Sequence, residues 1–172
     1  GRRPQRRAKP ETAVMPTEGS IEAASKELIA RLWQEHWGLP IVTAKREYMP
    51  PDVEGLTWHT RDGRTLGLVT WAVDGRRAEI VSLNALEPGR GIGSRLMDAA
   101  EEELRRRGVR TAHLVTTNDN PRALSFYLRR GYRLVHLHLD AMDRVRRVKP
   151  QVPLTGNDGI PLRDMWELER GL

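Results

Sequence analysis

The run Leu83-Asn84-Ala85-Leu86-Glu87-Pro88-Gly89-Arg90-Gly91-Ile92-Gly93-Ser94 sets a strand-like stretch, a turn with three glycines in five positions and the start of a helical repeat in direct succession. Such a turn is built for phosphate. Without Cβ atoms at Gly91 and Gly93 the backbone can approach an anion, its N–H groups converge, and the helix N-terminus adds a partial positive charge. Arg90 can add a full one. A glycine-rich connection that holds no ligand has the same appearance, because short glycine motifs are weak evidence by themselves. Two familiar phosphate loops are excluded. Ser94 stands where a dinucleotide fold needs its third glycine, and the loop follows a meander instead of opening a βαβ unit. No Gly-Lys-Ser/Thr occurs, which removes Walker A.

The elements around this turn alternate. Ser20 is the expected N-cap of a helix carrying Ile21, Ala24, Leu28, Ile29 and Leu32 at helical spacing, stopped by Gly38-Leu39-Pro40. Ile41-Val42-Thr43 reads as a short strand. Leu56–Thr60, Thr65–Val73 and Ala78–Ala85, separated by Asp62-Gly63 and Asp74-Gly75, read as an antiparallel meander. Ile92 to Arg107 keeps Ile92, Leu96, Ala100 and Leu104 on one helix face, ended by Gly108. A strand over Thr111–Thr116, a helix over Asn120–Arg130 and a strand over Tyr132–Leu139 follow. Residues 140–160 read as a basic loop, and Pro161–Leu168 as a final strand.

Composition narrows the function. With no cysteine among 172 residues, a disulfide framework, a thiolate metal site and a Cys-acyl intermediate are all excluded. No apolar run approaches the roughly 20 residues of a membrane helix, which points to a cytoplasmic protein. The net charge of +6 lies mostly at the start: Arg2, Arg3, Arg6, Arg7 and Lys9 against Glu11. Residues 1–19 are expected to form a disordered basic arm ahead of one domain over 20–172. Such an arm is more often solvated than bound to nucleic acid.

A second motif accompanies the glycine turn. Asn120-Pro121-Arg122-Ala123-Leu124-Ser125-Phe126-Tyr127-Leu128-Arg129-Arg130-Gly131-Tyr132 resembles the N-x-x-A-x-x-F-Y-x-x-x-G-F/Y signature of the GNAT (GCN5-related N-acetyltransferase) superfamily, at that family's distance after R-G-x-G. The resemblance covers about Leu56 to Leu139 and implies an α/β GNAT fold with a mixed, mostly antiparallel central sheet flanked by helices. Pro88 is a departure, since the family often has Gln or Arg there. The implied function is transfer of an acetyl or other acyl group from acetyl-CoA (coenzyme A), used as cosubstrate, to a primary amine by direct attack. A non-catalytic acyl-CoA-binding regulator is the alternative, and the chain is expected to be a monomer or homodimer.

By the same resemblance Arg90, Gly91, Ile92, Gly93, Ser94 and Arg95 would bind the pyrophosphate, backbone at Leu83 and Ala85 would hold the pantetheine arm and thioester, and Asn120 would touch the cofactor. Tyr127 matches the family's general acid, which protonates the departing thiolate. Glu79 matches the strand carboxylate that serves some members as base for the amine; plain surface polarity is the competing role. His136, His138 and Asp140 share one strand face at the spacing of a two-His, one-carboxylate metal site, but the resemblance implies no metal. Because the arm contains none of these residues, deleting residues 1–14 is expected to leave turnover of a small amine unchanged. Only salt-sensitive association with polyanions should weaken.

Overall fold

The computed structural model describes residues 19–172; the arm expected over residues 1–19 therefore lies outside the described residues except for Gly19. The elements are β1 (Gly19–Ala23), α1 (Lys26–His36), β2 (Ile41–Val42), β3 (Glu47–Tyr48), β4 (Glu54–Thr60), β5 (Thr65–Asp74), β6 (Arg77–Ala85), α2 (Ile92–Arg106), β7 (Thr111–Thr117), α3 (Pro121–Arg129), β8 (Arg133–His138), α4 (Ala141–Val148) and β9 (Met165–Gly171). β2 and β3 form a small hairpin, and the other strands build one sheet in the order β1-β4-β5-β6-β7-β9-β8. Every pairing in that sheet is antiparallel except β6 with β7. The mixed, mostly antiparallel α/β architecture read from the sequence is the one observed.

The central strands of the sheet are covered on both faces, so β5 and β6 bury consecutive residues on both sides. Against one face α2 buries Ile92, Leu96, Met97, Ala100 and Leu104 and α3 buries Tyr127. On the other face α1 places Ile29, Leu32 and Trp33 over Leu68, and α4 places Met142 and Val145 over Met165. The start of α2 can lie flat on the sheet because residue 67 is glycine: a Cβ there would meet the Asn84 carbonyl oxygen at 2.5 Å and Leu96 Cδ1 at 2.7 Å.

Three expectations are corrected. Residues 19–23 form an edge strand on β4, and α1 begins after Ser25, whose side chain accepts from Leu28 N at 3.1 Å. The helical spacing that seemed to start at Ser20 was fortuitous, and the serine that caps lies five positions on. Residues 140–160 contain α4; only Met142 and Val145 of its eight residues are buried among arginines, too few turns for a period to show. The final strand is Met165–Gly171, not Pro161–Leu168: it begins past the Pro161 bridge to Thr155 and runs to the end of its pairing with β7.

One buried carboxylate ties these layers together. Glu101 of α2 is 2% exposed and accepts from the Tyr132 hydroxyl at 3.0 Å, Arg130 Nη2 at 3.1 Å and Arg170 Nη1 at 2.8 Å. Removing one partner of a buried charge cluster leaves the others uncompensated, at a cost of about 3–5 kcal/mol. Glu101→Ala is expected to lower the unfolding free energy by about that amount in urea denaturation, and Glu101→Gln, which retains an acceptor oxygen, by less.

Candidate active site

β6 and β7 pair only from Arg77 to Glu79 and from Thr111 to His113, and then part. The divergence has a local cause on each strand. In β6 the register against β5 slips between Thr70 and Trp71, so that Trp71 faces Ile80 while Thr70 faces Ser82, leaving Val81 as an extra residue. Such a bulge bends the strand and changes which side chains face which side. Beyond it Ser82 is held by Thr70 Oγ1 at 2.6 Å and by Trp33 Nε1 at 2.9 Å. β7 follows β9 instead, along its whole length from Thr111 to Thr117.

The parting strands enclose a cavity of about 370 Å³. Val81 and Leu83 of β6, Val115 and Thr117 of β7, and Asn120 and Tyr127 of α3 line one part of it. Trp37, Val42, Met142, Val145, Lys149 and Val152 line another. Tyr127 reaches it because Asn120 Oδ1 caps α3, accepting from Ala123 N at 3.0 Å, and fixes the helix beside the gap. Tyr127 is 9% exposed, stacked edge-on against Phe126 and Tyr132 with centroids 5.0 and 5.6 Å away. Burial pushes its phenol pKa up, so the hydroxyl keeps its proton throughout the neutral range.

Leu83, at the cavity wall, lies shortly before the glycine turn. Gly91 is the N-cap of α2 and has φ 71°, a left-handed conformation that costs glycine nothing. No side chain caps this helix, and its first turn carries no acidic residue. The leading N–H groups at Ile92, Gly93 and Ser94 are thus left to an external acceptor, which is the chemistry of an anion site. Arg95 lies 5.5 Å over the Trp58 ring. Arg90 is ion-paired with Glu87, which also pairs with Arg64. Ala85 is exposed at the end of β6, and Ser94 gives its carbonyl to Arg130 Nη1 at 3.2 Å.

Glu79 does not line the cavity; it stands behind that wall, 7% exposed, where β6 and β7 are still paired. Tyr48 donates to its Oε2 at 2.8 Å, and His113 Nε2 lies 3.7 Å from the same oxygen. Burial alone would raise its pKa, but the nearby His113, the Tyr48 hydrogen bond and the neighbouring, cavity-lining Thr43 outweigh it and hold the carboxyl below the usual glutamate range. Tyr48 and His113 escape sequence reading because they come from a two-residue strand and from β7, joined only by the sheet.

Of the three residues with metal-site spacing, His138 Nε2 lies 2.6 Å from Glu167 Oε2, the His136 ring lies against that of His138 with centroids 4.4 Å apart, and Asp140 is the N-cap of α4 at φ 55°. Among the described residues no group of three or more His, Asp or Glu side chains is arranged to hold a metal ion, and no helix is long and apolar enough to cross a membrane.

Known proteins resemble the chain in sequence and in fold. An uncharacterized Bacillus subtilis protein, YxbD, is 38% identical over 140 residues, covering 81% of this chain and 88% of its own. The structure of an IAA acetyltransferase from Bacillus cereus superposes with a TM-score of 0.70 at 20% identity, over 90% of this chain and all of that one. A Bacillus subtilis acetyltransferase in complex with CoA does so at 0.66 and 20%, over 90% and 99% of the two chains. The family model for the acetyltransferase (GNAT) family matches residues 25–132, and with the parted strands, the uncapped glycine turn and the tyrosine between them, this chain belongs to that family of acetyltransferases.

Proposed function

We propose that the chain uses acetyl-CoA to acetylate a primary amine by direct attack, with Tyr127 as general acid. The observation that carries this reading is that Leu83, on the edge of β6 that β7 leaves unpaired, and the buried Tyr127 line one cavity. Beyond Leu83 the same strand runs on into the uncapped turn at Gly91. The similar Bacillus subtilis acetyltransferase holds CoA. In the reaction the amine nitrogen bonds to the thioester carbonyl carbon, the C–S bond breaks, the thiolate takes a hydrogen bond and then the proton from Tyr127, and the proton that the new amide nitrogen sheds restores the phenol. A phenol whose pKa burial has raised is a donor at every working pH.

The amine must first lose its own proton. Glu79, reached through Thr43, is the base in this reading. Its lowered pKa keeps it ionised as pH falls through the usual glutamate range. The acid limb of the rate profile above that range therefore reports protonation of the acceptor amine rather than of Glu79. The regulator alternative has no observation in its favour.

Tyr127→Phe is expected to lower kcat by about 10²-fold while leaving acetyl-CoA affinity nearly unchanged, read from thiol release and calorimetry; the absence of cysteine gives that assay no protein background. Full kcat in this variant would remove Tyr127 from its role. Glu79→Gln should slow turnover most at low pH, where free amine is scarcest.

A second prediction separates two glycines. Any other residue at Gly91 pays a left-handed penalty of about 1–2 kcal/mol, which lowers the binding-competent population of the loop roughly tenfold. Gly91→Val should weaken CoA binding at least that much. At Gly93 an added Cβ would meet Leu83 Cδ2 at 3.6 Å and Phe126 Cζ at 3.7 Å, ordinary contacts, so Gly93→Ala should keep the fold by circular dichroism.

A further inference from the structure

Lys149 follows the last turn of α4 and is 6% exposed, yet it lines the cavity. Its ammonium donates to the Trp37 carbonyl oxygen at 2.6 Å and to that of Gly38 at 3.2 Å. Both acceptors are neutral, and among the described residues no carboxylate lies at ion-pair distance from it. Of the other buried charges, Glu101 pairs with Arg130 and Arg170, Glu79 and Glu167 lie beside His113 and His138, and Asp119 accepts from Thr117 Oγ1 and Asn157 N. Burial of the Lys149 cation, which has no counter-charge beside it, pushes its pKa down. A buried charge without a counter-charge is costly, and an anionic ligand offsets that cost.

The lining around Lys149 limits what that ligand can be. Trp37, Val42, Met142, Val145 and Val152 make the wall apolar, and among the described residues lining the cavity no Asp or Glu occurs. A polyamine or another polycation would meet a positive charge and no negative one. An ammonium has three N–H donors, of which the two carbonyls take two. The third is available to an oxygen anion in the cavity.

We propose that the acceptor is a primary amine carrying a carboxylate on an apolar body, its carboxylate paired with Lys149 and its amine directed toward the parted strands. The proposal rests on the transferase reading above and gives it a substrate class. Lys149 here is a specificity residue that touches the acceptor, not a participant in the bond changes.

The test compares matched acceptors with the full chain: L-leucine against L-leucinamide, and 5-aminopentanoate against pentylamine, with spermidine as the polycation. Turnover is followed by thiol release, and binding of the same compounds is measured separately by calorimetry, with and without CoA. For wild type, an acid should bind at least tenfold more tightly than its neutral partner in one or both pairs, and spermidine should bind least. Since acid and amide differ in amine basicity, the kinetic quantity is the change in their ratio. Lys149→Met and the donor-retaining Lys149→Gln should each reduce the acid preference about tenfold, through KM rather than kcat.

Equal binding of acids and neutral amines by wild type, or an acid preference that survives both substitutions in folded protein, overturns the proposal. The wild-type comparison decides even if neither variant folds. Acids bound in a Lys149-dependent way without acyl transfer would support this site and defeat the transferase reading. Transfer to neutral amines or spermidine with Lys149 indifferent would do the reverse.

Discussion

Everything functional in this fold depends on two parallel strands that stop pairing. β6 and β7 exchange hydrogen bonds over three residues and then leave each other, exposing backbone groups that a continuous sheet would satisfy internally. Such an opening inside a covered sheet must be held from outside the gap. On one side Ser82 is fastened to Thr70 and Trp33, just past the bulge. On the other, seven residues of β7 pair with β9. The pull toward two different neighbours holds the wedge open, and its free edges suit an extended ligand with amide groups of its own.

The charges around the wedge are sorted by wall. Behind β6 and β7 the carboxylates of Glu79 and Glu167 are each held ionised by hydrogen-bond donors, Tyr48 and His113 for one and His138 for the other, despite burial that opposes ionisation. The cavity itself receives neither carboxylate. It receives Lys149, whose stabilisation by two carbonyls is weaker than an ion pair would give. Negative charge thus stands outside the cavity lining, and Lys149 places positive charge within it.

The central half of the chain was legible from sequence and the outer parts were not, for physical reasons. The meander, α2 and α3 carry long periods bounded by turn residues, and the two motifs sit where local backbone geometry is the message, at Gly91 and at the Asn120 cap. Reading failed where an element is too short or too charged to show a period: α4 with two buried residues, β9 with Glu167 and Glu169 inside it, and β1, whose Ile21 happened to fall in step with α1. The partners of Glu79 failed differently. Tyr48 and His113 are 31 and 34 residues away from it in sequence, and only sheet order brings them together. Lys149 was visible as one cation in a basic run, but nothing local distinguishes it from its neighbours Arg146 and Arg147; its burial beneath the α1–β2 connection does.

The glycine turn and Tyr127 are not independent, because α2 serves both. Its N-terminus carries the uncapped amides after Gly91, and three turns later Glu101 receives Arg130 and Tyr132, the residues that follow α3 and bracket Tyr127 from its C-terminal side. Tyr132 also stacks on Tyr127 directly. Arg130 reaches back to the Ser94 carbonyl in the first turn of α2. A displacement of α2 along its axis would therefore move the amides and the phenol together rather than against each other. This is why a buried carboxylate remote from the cavity matters to it: the Glu101 cluster converts two helices on one face of the sheet into a single rigid part, and the distance between the anion site and the phenol is set by that part rather than by either loop.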